Sequence, residues 1–153
     1  MNIFVTSSCP VACARFLDDK RKTKMALEST QMLCTALNVY GIATPYKTAH
    51  LNHPCSIWAR ASKQNWEWLW DHAMSLCNEY ERIYDRQHAC KKILYAIKNQ
   101  SIVLPNTGMT MFVNCARSKE RGIDYTNEKD VYTAYQLYLN DRWDNDIRQP
   151  EWS

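Results

Sequence analysis

The sequence predicts a mainly α-helical protein, a compact single-domain helical bundle spanning residues 1–153 with little or no strand. Three observations predict it. Helical spacing of apolar residues extends over about 80 residues. Three glycines and five prolines in the whole chain are too few turn formers for a sandwich or barrel. A length of 153 residues suits one core, burying about two thirds of the unfolded surface.

Taken in order, residues 2–6 (NIFVT) read as a short buried or edge strand. The SSCP that follows is a turn, with a helix start at Pro10 and a short helix to Leu17. A long amphipathic helix is predicted over 21–40, where Met25, Ser29, Met32, Leu33, Ala36, Leu37 and Tyr40 recur at three- and four-residue steps. Gly41 ends it. Residues 42–53 (IATPYKTAHLNH) form a loop rich in hydrogen-bonding groups, and Pro54 opens the next helix. Ile57, Trp58, Ala61, Leu69, Ala73, Leu76, Cys77 and Tyr80 lie on one stripe of that helix, which is expected to be central. Trp66, Trp68 and Trp70 alternate along it, so one of them is expected to be exposed as a stacking or partner surface. A third helix over about 86–98 carries Ala89, Ile93, Leu94, Ala96 and Ile97. Residues 99–125 have little periodicity. Asn127 is the expected cap of a last helix, 128–141. The tail DRWDNDIRQPEWS either docks through its tryptophans or is mobile.

Charge and motifs exclude several classes of function. The net charge of +3 is unevenly placed: Arg15, Lys20, Arg21, Lys22 and Lys24 face only Asp18 and Asp19 in the same stretch. Cations at a helix start oppose the helix dipole, so either phosphate contact or simple solvation must account for them. There is no GxxxxGK and no GxGxxG, which removes the usual phosphate loops. Seven cysteines, an odd number without CxxC, read as free thiols, none with a sequence-local activator. His50, His53, His72 and His88 lack metal-ligand spacing. No metal and no cofactor are expected. No apolar run reaches 18 residues and no leader is evident, so the expectation is a cytoplasmic protein with no membrane partner.

Glu28 is the most informative residue. It lies three after Met25 and four before Met32, on the stripe that should be buried. A buried carboxylate must find a partner or lose its charge. Either outcome suits a catalytic acid or base; the plainer alternative is a pair with Lys24 or Arg21 across one helical turn. A second constellation is HLNHPCSIWAR. Asn52 and His53 flank a helix N-terminus followed by Arg60, a plausible phosphate seat on which Trp58 could stack a base. The alternative has His53 as a cap, Arg60 in a surface ion pair and Trp58 in the core.

The order of these features resembles the bacteriophage-type pyrimidine-dimer DNA glycosylases, the endonuclease V class of small helical repair enzymes. The likeness rests on an N-terminal hydrophobic segment, then LDDKRKTKMALESTQML with its internal glutamate, a His-Pro helix start and a Pro-Glu-Trp tail. Laid over that family's helix motif, Asp19 takes the acidic place, Lys20 and Arg21 the Gln-His place, and Glu28 the catalytic place. The resemblance implies a DNA N-glycosylase, with or without AP-lyase activity, acting on damaged or modified pyrimidines in a phage-infected bacterial cell. An N-terminal amine would attack the sugar C1′ to give an imine, assisted by the glutamate. Asn2 is a residue behind which Met1 is normally retained, so the attacking amine would be that of Met1. The implied catalytic set is then Glu28, Met1 and Arg21, with Lys20, Lys22, Lys24, Asn52, His53, Trp58 and Arg60 on DNA. The alternative from another class is a non-catalytic phage accessory protein that binds a nucleotide or a host protein through residues 47–60.

Overall fold

A computed structural model describes residues 1–153. The chain is mainly helical, as the spacing predicts: α1 Pro10–Phe16, α2 Asp19–Val39, α3 Pro54–Ala61, α4 Lys63–Tyr84, α5 Ala89–Ile97 and α6 Val131–Asn145. A 3₁₀ segment, Lys98–Val103, follows α5, and the only sheet pairs β1 (Arg117–Ser118) with β2 (Ile123–Asp124). No helix is long and apolar enough to cross a membrane.

α2 and α4 pack along each other at the centre, with α1, α3 and α5 around α4. This arrangement overturns one expectation. Trp66, Trp68 and Trp70 are all buried, at 1%, 9% and 8% exposure, because α4 has neighbours on more than one side. Each indole N–H donates to a carbonyl on a different neighbour: Trp66 to Leu33 O at 3.1 Å, Trp68 to Ser8 O at 2.9 Å and Trp70 to Leu94 O at 2.8 Å. The aromatic mass is therefore buried with its polar handles satisfied.

Other boundaries differ for local reasons. The single helix expected from Pro54 to Tyr80 is two. Ser62 breaks it with an extended backbone (φ −154, ψ 159), and its hydroxyl accepts from the Asn65 N–H at 3.0 Å, capping α4. Residues 2–6 form no strand: Ile3, Phe4 and Val5 are buried, and the Thr6 N–H closes a tight turn on Phe4 O at 3.1 Å. They pack as side chains. α6 starts at Val131 rather than 128, since Asp130 caps it through the Tyr132 N–H at 3.0 Å. It runs on to Asn145. The tail docks: Trp152 Nε1 donates to Phe16 O at 3.1 Å, and the Asp19 N–H donates to Glu151 O at 2.8 Å.

Candidate active site

Five parts of the chain surround an open cleft of about 570 Å³. α2 supplies Arg21, Lys24, Met25 and Glu28; the chain start supplies Met1, Asn2 and Phe4. The head of α3 adds His53 and Pro54, while the ribbon and α6 add Cys115, Arg117, Tyr138 and Arg142.

At its floor the Met1 amine lies 3.5 Å from Glu28 Oε1. Neither reading of Glu28 as a helix-neighbour ion pair applies: Lys24 lies one turn away and Arg21 two turns away, and neither pairs with it. The chain start is aimed there by Asn2. Its Oδ1 accepts from the Ile3 N–H at 2.8 Å and the Tyr135 hydroxyl at 2.8 Å, and its Nδ2 donates to Cys115 O at 3.1 Å. Tyr135 is buried on α6 and in turn accepts the Cys115 N–H at 3.0 Å. With donors and acceptors of the Asn2 amide engaged, residue 1 has little freedom to turn away.

The cationic groups divide into two kinds. Arg21 is held between Asp18 Oδ1 at 3.0 Å and Asp146 Oδ2 at 3.1 Å, and Asp18 also accepts from Trp143 Nε1 at 2.9 Å. Lys24, Arg117 and Arg142 have no ion-pair partner. Asp124 stands across the ribbon from Arg117, but its carboxylate accepts from the Thr126 N–H at 2.9 Å and hydroxyl at 2.6 Å. Arg142 Nη1 donates to the Tyr138 hydroxyl at 2.9 Å, its guanidinium lies 5.8 Å from that ring's centroid, and its Nε is buried without a partner. The only acidic side chain on the cleft wall is Glu28, already opposite the amine. The lining is thus a surplus of positive charge in a concave site, which favours a polyanion.

His53 caps α3: its Nδ1 accepts the Cys55 N–H at 3.1 Å. Burial, then the nearby amine and His50, lower its pKa; because Nδ1 accepts, the proton of the neutral ring sits on Nε2, on a residue that lines the cleft. A larger cleft of about 810 Å³ adjoins, sharing Lys24 and lined by Lys20, Arg121 and Arg148 beside the docked tail. Its four cations share the wall with Asp18, Asp19, Asp146 and Glu151, so it has no surplus of positive charge like that of the first cleft.

Of the residues singled out from sequence, Glu28, Met1, Arg21, Lys24 and His53 meet in the first cleft, and Lys20 lines the second. The other four lie outside both. Lys22 is 2% exposed and pairs with Glu79 Oε1 at 2.9 Å, so it braces α2 against α4. Trp58 is in the core against Trp68 and Phe112. Arg60 forms no ion pair; its Nη1 donates to Leu51 O at 2.7 Å. Asn52 is exposed on the loop and lines neither cleft. The aromatic surface that a nucleotide or host-protein binder would need from residues 47–60 is therefore missing at Trp58. Sequence reasoning gave no site role to Asn2, Cys115, Arg117, Tyr135 or Arg142. Asn2 entered only through the retention of Met1, Cys115 only as one of seven free thiols and Tyr135 only as an apolar-stripe residue of the last helix, and no local pattern marks Arg117 or Arg142.

The model of the pyrimidine dimer DNA glycosylase family matches residues 1–92. The chain belongs to that family. The matched part carries Met1, Arg21, Lys24, Glu28 and His53, whereas Cys115, Arg117 and Arg142 lie beyond it. No curated protein and no solved structure matches the chain.

Proposed function

We propose that this protein is a DNA N-glycosylase with AP-lyase activity acting on damaged or modified pyrimidines. The observation that carries the reading is the Met1 amine 3.5 Å from Glu28, at the floor of a cleft lined by unpaired cations. Glu28 can take a proton from the amine, whose nitrogen then attacks C1′ of the damaged nucleotide. The C1′–N bond breaks, its electron pair leaves with the base, and the sugar ring opens to an imine on the Met1 nitrogen. Glu28 stands beside the charge that develops on the opening sugar. Loss of a C2′ proton from the imine then expels the 3′ phosphate and nicks the strand.

Lys24, Arg117 and Arg142 supply contacts to phosphates flanking the damaged nucleotide. Arg21, fixed by two carboxylates, presents its remaining N–H donors at a constant angle, and the Nε2–H of His53 is available to a phosphate or sugar oxygen.

Borohydride reduction during incubation with dimer-containing and abasic duplexes tests this. A covalent adduct whose mass maps to the Met1 peptide is the expected result. An adduct on another peptide reassigns the nucleophile, and no cleavage and no adduct on any damaged duplex overturns the proposal.

A further inference from the structure

Two thiols meet in the wall of the cleft, next to the residue that holds the chain start. Cys115 is partly exposed on that wall, and Cys55, fully buried near the head of α3, adjoins it across the Asn2 side chain. Both are wired to Asn2. Cys55 Sγ donates to Asn2 Oδ1 at 3.7 Å, and the Cys115 carbonyl accepts from Asn2 Nδ2 at 3.1 Å. Four of the other five cysteines are buried, and Cys9 is exposed; none lines this cleft.

The surroundings separate the two sulfurs chemically. The adjoining Cys55 side chain, then Arg117 and the Met1 ammonium, bring the Cys115 thiol down to about 7 against the opposing effect of burial. Cys55 moves the other way, because its contact with Cys115 and its burial both favour the thiol. A reachable thiolate beside a protonated thiol is the arrangement in which cysteine oxidation is site-selective.

We propose that Cys115 and Cys55 form a covalent modification site for peroxides, with Cys115 as the attacking thiolate and Cys55 as the resolving thiol. The Cys115 sulfur attacks one peroxide oxygen, the O–O bond breaks, and the departing hydroxide takes a proton to become water. The Cys55 sulfur then attacks the resulting sulfenic acid. An S–S bond forms, the S–O bond breaks, and the oxygen leaves as a second water with the Cys55 proton. Two thiols and one hydrogen peroxide give one disulfide and two waters. The disulfide removes the Cys55 S–H from Asn2 and draws the Cys115 wall toward α3, disturbing the seat of the Met1 amine. The inhibition that follows rests on the glycosylase reading; the modification itself does not.

Peroxide treatment of the reduced full chain, followed by peptide mass mapping, is the test. A Cys55–Cys115 linked peptide is expected, with imine trapping lost in parallel and restored by dithiothreitol. Cys55→Ser protein should instead accumulate a sulfenic acid at Cys115 that dimedone captures, and trapping by Cys115→Ser protein should not respond to peroxide. Absence of both the linked peptide in wild type and the dimedone adduct in the Cys55→Ser protein overturns the site. A linked peptide with unchanged trapping overturns the coupling to the chain start. If the reduced wild type never traps, the glycosylase reading fails while the disulfide is still read by mass.

Discussion

Met1 and Glu28 meet through the path of the chain start and not along the helix: the amine nitrogen is 3.5 Å from Oε1, while Lys24, one turn along α2, faces the cleft unpaired and Arg21, two turns along, is engaged by Asp18 and Asp146. Glu28→Gln keeps the shape and removes the proton acceptor. Turnover on dimer-containing and abasic duplexes should fall by at least about 100-fold. Binding to the same duplexes, and the unfolding midpoint, should change little. Equal losses of binding and turnover would refute the assignment of Glu28 to the chemistry.

The cations predict a divided salt response. Replacing Lys24, Arg117 or Arg142 by glutamine should lower the log–log salt slope of DNA affinity by about 0.9 for each phosphate that the variant no longer neutralises. Lys22→Gln should leave the slope unaltered, since Lys22 is buried against Glu79. Fluorescence anisotropy over a salt series checks this, and an unchanged slope in all three cleft variants would reduce these residues to a solvated face.

Lys22 and Glu79 give a stability prediction instead. Glu79→Gln leaves a buried ammonium without its counter-ion and should cost about 3 kcal/mol in denaturant unfolding. Arg82 and then Lys22 hold the Glu79 carboxyl down to about 2 against its burial. Its folded value is depressed, so its contribution is present in full above the ordinary carboxylate range and is lost only as pH falls through about 2. A wild type and variant of equal stability at pH 7 would contradict this.

His72 acts in the same direction at milder acidity. It is buried, its Nδ1 lies 3.0 Å from Pro10 O, and burial lowers its pKa to about 4. Between the unfolded value of about 6.5 and the folded one, the unfolded chain binds the extra proton, so stability falls as pH is lowered through that window. The loss should approach roughly 3 kcal/mol. A flat urea midpoint from pH 7 to pH 4 would be incompatible with a neutral buried His72.

Tyr135 should act through Asn2. Its hydroxyl donates to Asn2 Oδ1 at 2.8 Å and accepts from the Cys115 N–H at 3.0 Å. Tyr135→Phe is expected to lower kcat with KM little altered and to cost about 1–2 kcal/mol of stability. Loss of stability with kcat intact would make it a core residue only.

Periodicity is a local property, and what it governs was legible in the sequence: the long helix ending by Gly41, the helix start at Pro54, the mainly helical class, and Glu28 as a carboxylate out of place on an apolar stripe. Caps such as Ser62 and Asp130 were local signals too, but each lay within or beside a run of helix formers and gave way to the stronger pattern. The partners of charges and indoles are set by chain paths far apart in sequence. Only the tertiary structure brought the Met1 amine to Glu28, sent Lys22 to Glu79 and left Lys24 free, although the two lysines stand two residues apart. It alone gave Trp66, Trp68 and Trp70 three separate carbonyls by surrounding α4. Arg117 and Arg142 reached the cleft from a short ribbon and a terminal helix whose positions no spacing rule encodes, because burial and electrostatic complementarity act over distance in space and not along the chain.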